Sequence, residues 1–189
     1  MINLYDFPIL SECRTGLRET SIDDSDSNDI KYMTESKLEV VNFDQVKRKY
    51  VNRLNLSEDC AKSMDAVLEK DGRIIFIEFK NGKVNNRDIK DKLRDSLLIF
   101  LDIVKKDLDY ARTNIDCVVV YNQYKNPFSV QSGKNYVQES RSRDIINNFI
   151  AGKAETEIIR FDLERYKRLY YRQVHTYPID RFEKYLEMF

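Results

Sequence analysis

Histidine and cysteine are scarce in this chain of 189 residues, with one histidine and three cysteines. A lone His175 rules out a multi-histidine metal site, and its place among tyrosines near the end of the sequence makes it a poor general base. Cys13, Cys60 and Cys117 are odd in number and widely spaced. Without a Cys-x-x-Cys pair, they indicate neither a disulfide framework nor a zinc knuckle. Cys117, inside an apolar run, reads as a buried strand residue. No apolar run approaches membrane-spanning length, so no membrane partner is expected. The start, Met1-Ile2-Asn3-Leu4-Tyr5-Asp6, lacks the basic and apolar regions of a signal peptide. The expected compartment is the cytosol.

Net charge is zero as well, so bulk electrostatics do not mark a nucleic-acid binder. The distribution says more. Residues 1–36 carry three basic side chains (Arg14, Arg18, Lys31) against eight acids, which leaves the remainder modestly basic and compatible with phosphate binding. Charged residues at 34% and hydrophobic residues at 42% fit a globular chain with a real core. We expect residues 1–36 to form an N-terminal segment with an acidic mobile loop over 21–29. Residues 37–189 are expected to form a single α/β domain that includes a C-terminal helical part.

Along the chain, residues 2–17 read as a short packed element. Leu38, Val41, Val46, Tyr50 and Leu54 suggest a helix over about 35–54. Asn86 is a candidate cap for a long helix to about Lys106, with Ile89, Leu93, Leu97, Phe100, Leu101 and Val104 on one side. Residues 115–121, almost continuously apolar, predict a strand buried on both faces and paired in parallel. The segment 122–133 reads as a loop, 140–150 as a short helix, 157–161 as a strand and 162–175 as a last helix capped by Asp162. Arg165, Lys167, Arg168 and Arg172 interleave there with Tyr166, Tyr170 and Tyr171. Such a mixture suits either single-strand contact or tyrosines packed on a sheet, and the second is favoured.

The chemistry concentrates between residues 63 and 80, where two β-prone runs flank Asp71-Gly72. Asp-Gly is a strong two-residue hairpin signal, because both central residues of a type I′ turn need positive φ. In that register Asp65 faces Glu78 and Ser63 faces Lys80. Asp65, Glu78 and Lys80 share one face, taken to be free of core. Met64, Ala66, Leu68, Ile75, Ile77 and Phe79 fill the other. Opposed carboxylates destabilise a ladder unless something compensates. One hard cation held by both would do so, and Mg²⁺ typically takes one or two protein carboxylates while keeping several waters. Lys80 could then orient or deprotonate the attacking water. The plain alternative is an amphipathic strand with a surface ion pair worth little.

At Asp65 and Glu78-Phe79-Lys80 the chain resembles the PD-(D/E)xK nuclease superfamily, whose signature is an acid on one strand and Glu/Asp-x-Lys on the next. Asn81-Gly82-Lys83 is similar to the Gly-containing turn of the RecB-type branch. Met64 stands where many members carry proline, and no glutamine–tyrosine motif follows. The resemblance covers about residues 62–121. It implies a restriction-endonuclease-like α/β core, a central mixed sheet flanked by helices in α-β-β-β-α-β order, with the first strand in residues 54–60. It further implies an endonuclease or exonuclease that hydrolyses phosphodiester bonds with Mg²⁺ or Mn²⁺, acting on DNA ahead of RNA. Asp65, Glu78 and the Phe79 backbone carbonyl would hold the metal, and Glu39 or Glu35 from the first helix is a further candidate ligand. Lys83, Arg87, Lys90 and Arg94, with Lys92 among them, would contact phosphates; a solvated helix face interleaved with Asp88, Asp91 and Asp95 accounts for them equally well. A homodimer or an accessory protein fits a nuclease that cuts both strands of a duplex. The rival from another class is a catalytically inactive module of the same fold that binds nucleic acid or protein.

Overall fold

In a computed structural model the described residues are 2–23, 31–127 and 158–187. The chain opens with a 3₁₀ turn at Leu4–Asp6 and a short helix α1 (Pro8–Ser11), and then forms strand β1 (Arg14–Gly16) and helix α2 (Leu17–Thr20). A small pair, β2 (Ile22–Asp23) with β3 (Lys31–Tyr32), stands apart from the main sheet. Ile2, Leu4, Ile9, Leu10 and Cys13 are buried in the main core, and β1 pairs with β4 (Glu39–Asn42). The chain before residue 36 therefore contributes an edge strand and core side chains to the same sheet as the rest.

The helix expected over 35–54 is two elements. Glu39–Asn42 is β4, and only Phe43–Arg53 is helical (α3). Val40 and Val41 are both buried in the strand, and their spacing to Leu38 imitates a helical repeat. The boundary is chemical, because the Asn42 side chain accepts from the Gln45 N–H at 3.0 Å and caps α3. No strand forms within 54–60, where one was expected; Leu54 to Cys60 form a turn and a 3₁₀ helix, Glu58–Cys60, and the strand that precedes β5 is β4.

The Asp71-Gly72 turn has φ of 50° and 75°, as a two-residue type I′ loop demands. It joins β5 (Ala66–Lys70) to β6 (Arg73–Lys80), with Lys70 opposite Arg73 and Ala66 opposite Ile77. That is the register read from the sequence. Helix α4 (Asn86–Val104) follows, capped by Asn85 rather than Asn86: the Asn85 side chain accepts from Arg87 and Asp88. Lys105, at φ 53°, ends it. Helix α5 (Leu108–Asn114), capped by Asp107, leads into β7 (Ile115–Tyr121), every residue of which is buried.

The last helix expected over 162–175 does not form. Phe161, Asp162 and Arg168 have positive φ, which breaks any helix; Glu164–Tyr166 is a 3₁₀ turn, and Gln173–Pro178 is a strand, β8. Buried and part-exposed residues alternate along β8, a period-2 pattern that the interleaved charges and tyrosines obscured. Helix α6 (Ile179–Leu186) follows Pro178. Residues 158–161 form no strand. The helix expected over 140–150 and most of the acidic loop lie outside the described residues.

The sheet runs β1-β4-β5-β6-β7-β8, antiparallel from β1 to β6 and parallel across β6, β7 and β8. The molecule is an α/β protein with a six-stranded mixed central sheet flanked by helices. Among the described residues, no helix is long and apolar enough to cross a membrane.

Both faces of the hairpin are core, which corrects the expectation of one free face. Ala66, Leu68, Ile75, Ile77 and Phe79 pack with Leu17, Met33 and Phe182. On the other face Val67, Ile74 and Phe76 pack with α3 and α4. Phe76 meets Phe43, Phe100 and Tyr171 edge-on, at 5.1, 5.4 and 6.5 Å, a favourable geometry for aromatic pairs. Met64, expected with the first group, joins the second, because the strand bends before it reaches that residue. Glu78 and Asp65 thus sit at the border of a helix-covered core.

Candidate active site

Strand β5 starts at Ala66, and the bend at Asp65 sets up the site. The Asp65 backbone N–H donates to the Ile77 carbonyl at 3.1 Å, and its carbonyl accepts from Phe43 at 3.0 Å. Beyond this point the carboxylate replaces the backbone as partner of β6, since Asp65 Oδ2 accepts the Phe79 N–H at 2.6 Å. In an extended strand a residue's N–H and C=O leave on the same side. The Phe79 carbonyl therefore faces the same edge as the Asp65 carboxylate.

Glu78, on the central strand β6, has a side chain with 0% exposure. Two ammonium groups meet its Oε1: Lys92 Nζ from α4 at 2.6 Å and Lys80 Nζ at 3.1 Å. Glu78 Oε2 is buried without a hydrogen-bond partner among the described residues. Lys92 also reaches Asp65 Oδ1 at 3.5 Å, so its ammonium bridges the two carboxylates. Lys80 continues to Asp88 Oδ2 at 3.3 Å, and Asp88 takes Lys62 Nζ at 2.6 Å. Glu78 thus meets Lys80 directly and is joined to Asp65 through Lys92, within a larger alternation of charges.

Helix α4 supplies what the motif did not name. Asp88, Lys92 and Ser96 recur every four residues and so share one face of the helix. Ser96 Oγ accepts the Met64 N–H at 2.8 Å, which fixes the chain just before Asp65. Asp44 at the start of α3 takes the Ser63 hydroxyl. The four-residue spacing was visible in the sequence, but nothing there aimed that face at β6.

Burial pushes the Asp65 carboxyl up to about 8, with the Glu78 charge adding to it and Lys92 and the Phe79 N–H pulling against it. Burial also raises Glu78, against the opposing pull of Lys92 and Lys80. Burial alone would lower Lys92, yet Glu78 and Asp65 raise it overall. At Asp88 burial is outweighed by Lys62 and Lys80, and its carboxyl lies below the usual range. The pair of acids resists full ionisation while Lys92 stays charged.

Other sequence candidates fall elsewhere. Glu39 lies at the far end of β4, bonded to Arg14 and to the Tyr5 hydroxyl, and Glu35 pairs with Arg18 at 2.7 Å. Neither joins the site. Lys90 pairs with Asp162, and Arg94 with Asp91 on its own helix. Lys83, in the turn after β6, and Arg87, in the first turn of α4, are exposed beside the charged cluster. The basic and aromatic stretch near the C-terminus is structural: Tyr171 is buried and donates to the Leu93 carbonyl at 2.7 Å, while Arg172 pairs with Asp116.

No protein-family model, curated protein or solved structure matches this chain. What the site can do is set by its own geometry. Among the described residues, no group of three or more His, Cys, Asp or Glu side chains is arranged to hold a metal ion. Mg²⁺ needs only one or two carboxylates and completes its shell with water. The unpartnered Glu78 Oε2, with the Asp65 carboxylate and the Phe79 carbonyl, would supply oxygen donors of the kind such a hard cation takes.

Proposed function

We propose that this chain is a metal-dependent nuclease that hydrolyses phosphodiester bonds of DNA, or of RNA, in the cytosol, on a restriction-endonuclease-like core. The observation that carries the reading is the convergence of Asp65, Glu78 and Lys80 with one buried Glu78 oxygen left open. Supporting the core are the antiparallel β5–β6 hairpin, the helical crossover and the parallel β7, with α3 inserted between the first two strands of the order expected from the resemblance.

Asp65, Glu78 and the Phe79 carbonyl hold Mg²⁺ or Mn²⁺ in this proposal. The ion, when bound, stabilises charge on the phosphoryl oxygens and lowers the pKa of water. Lys80, anchored between Glu78 and Asp88, orients the attacking water and donates hydrogen bonds toward the developing negative charge. Lys83 and Arg87 meet the flanking phosphates. The test is cleavage of labelled single- and double-stranded DNA and RNA with Mg²⁺ or Mn²⁺, comparing wild type with Lys80→Ala. Loss of cleavage in the variant is expected, and equal cleavage by the two proteins defeats the mechanism.

One observation favours a second reading, a catalytically inactive module that binds nucleic acid or protein. Lys92 already bridges the two carboxylates, so their charge is compensated without metal. A melting temperature that rises with Mn²⁺ in wild type but not in Asp65→Ala supports the nuclease. Indifference of both proteins to Mn²⁺ supports the module.

A further inference from the structure

Lys92 lies where the two carboxylates come closest to sharing a cation. Its Nζ is 2.6 Å from Glu78 Oε1 and 3.5 Å from Asp65 Oδ1, and its side chain is 18% exposed. Both of its ion-pair partners belong to that carboxylate pair, whereas Lys80 is held by Glu78 and by Asp88 outside the pair. The stem of Lys92 descends from α4, one turn after Asp88 and one turn before Ser96. A lysine side chain has four rotatable carbons, so its ammonium can withdraw along α4 without moving the helix.

Charge counting gives the consequence. Asp65 and Glu78 share the single ammonium of Lys92, with Lys80 on Glu78 and Asp44 nearby, so positive charge already compensates the pair. A divalent ion held by Asp65 and Glu78 would add two positive charges to the carboxylates that Lys92 already contacts, in a buried site where like charges repel strongly. We infer that Lys92 is the resident counter-cation of the Asp65–Glu78 pair, and that a divalent metal ion binds there by displacing its ammonium. The inference rests on the metal-site reading above and adds a built-in competitor to it. Lys92 acts as a positioning residue that holds the two carboxylates together without metal and sets the threshold of metal concentration at which the site loads.

The experiment is a Mn²⁺ titration followed by the EPR signal of free Mn²⁺, using wild type, Lys92→Met and Asp65→Ala. Runs between about pH 7 and 9 allow proton competition to be fitted separately. Lys92→Met keeps the length of the stem and removes the charge. It is expected to bind Mn²⁺ at least about fivefold more tightly than wild type, the low end for coupled binding events, while Asp65→Ala loses the site. Equal or weaker binding by a folded Lys92→Met overturns the inference and leaves the metal site standing. No Mn²⁺ binding by either wild type or Lys92→Met overturns both. Should Lys92→Met fail to fold, lysine acetylation mapped by mass spectrometry on wild type decides. Saturating Mn²⁺ is expected to raise labelling of Lys92 severalfold and leave exposed Lys83 unchanged; unchanged labelling of Lys92 with Mn²⁺ bound overturns the inference.

Discussion

Replacing Asp65 with Asn tests the electrostatics of the site without any nuclease assay. Asn keeps an oxygen that can accept the Phe79 N–H and mimics the protonated acid. In wild type the Asp65 carboxyl is pushed up to about 8 by burial and by Glu78, from roughly 3.9 in an unfolded chain. The folded state therefore binds a proton more tightly than the unfolded one. With the folded pKa above the unfolded value, this group's contribution to stability is greatest below about pH 4 and declines as pH rises toward 8, then levels off. Four pKa units correspond to about 5 kcal/mol in full. The carboxylate is 15% exposed and its charge interacts with that of Glu78, so a loss on the order of 2–3 kcal/mol is the working expectation. Asp65→Asn lacks this slope. Thermal unfolding of both proteins at intervals from about pH 4.5 to 9 should show Asp65→Asn gaining on wild type with each step, by roughly 5–10 °C in melting temperature at the alkaline end. Mn²⁺ should close that gap in wild type alone. Parallel pH profiles would mean that Asp65 ionises freely, and the picture of a strained carboxylate pair would be wrong.

Four other variants probe separate levels of the structure. Phe76→Ala removes a fully buried ring that three other rings meet edge-on; a loss of about 3–5 kcal/mol in denaturant unfolding is expected, and a loss below about 1 kcal/mol would deny Phe76 its central place in the core. Gly72→Val puts a β-branched residue at φ 75° and should cost about 1–2 kcal/mol, visible as a lowered melting midpoint. Lys83→Ala with Arg87→Ala should weaken oligonucleotide binding and flatten its salt dependence by about one to two log units per log unit of salt, whereas Lys90→Ala with Arg94→Ala, whose charges are already paired, should change it little. The reverse order in fluorescence anisotropy would move the substrate path away from the mouth of β6.

How much of this was legible in the sequence follows from the range of the interactions involved. The hairpin was readable because Asp71-Gly72 fixes its own turn and the turn fixes the register of ten neighbouring residues. Helix α4 and strand β7 were readable because their apolar patterns run through whole elements. Strand β4 and strand β8 were not: four and six residues long, they owe their form to pairing with distant strands, and both sat inside stretches that imitate a helical repeat. The bend at Asp65 belongs to the same class. Alternation alone carries Asp65 into the ladder opposite Glu78, but Ser96 holds the Met64 N–H from across the core, and the chain turns one residue early.

That early turn is what makes the site more than a motif. In a continued ladder Asp65 would pair through its backbone with Glu78, and two carboxylates would face each other on a strand surface. Because β5 stops at Ala66, the carboxylate of Asp65 takes the Phe79 N–H itself, which fixes one oxygen and leaves the other toward Glu78 and Lys92. A buried acid pair held this rigidly is destabilising in isolation, and the structure offsets it with a lysine from a helix twenty-seven positions along the chain. Glu-x-Lys on its own could have been an ion pair on a solvated strand. With Glu78 fully buried and one of its oxygens unpartnered, that plain account fails, since a surface ladder leaves no carboxylate oxygen dry. In this structure Lys92 supplies the cation that the two carboxylates share.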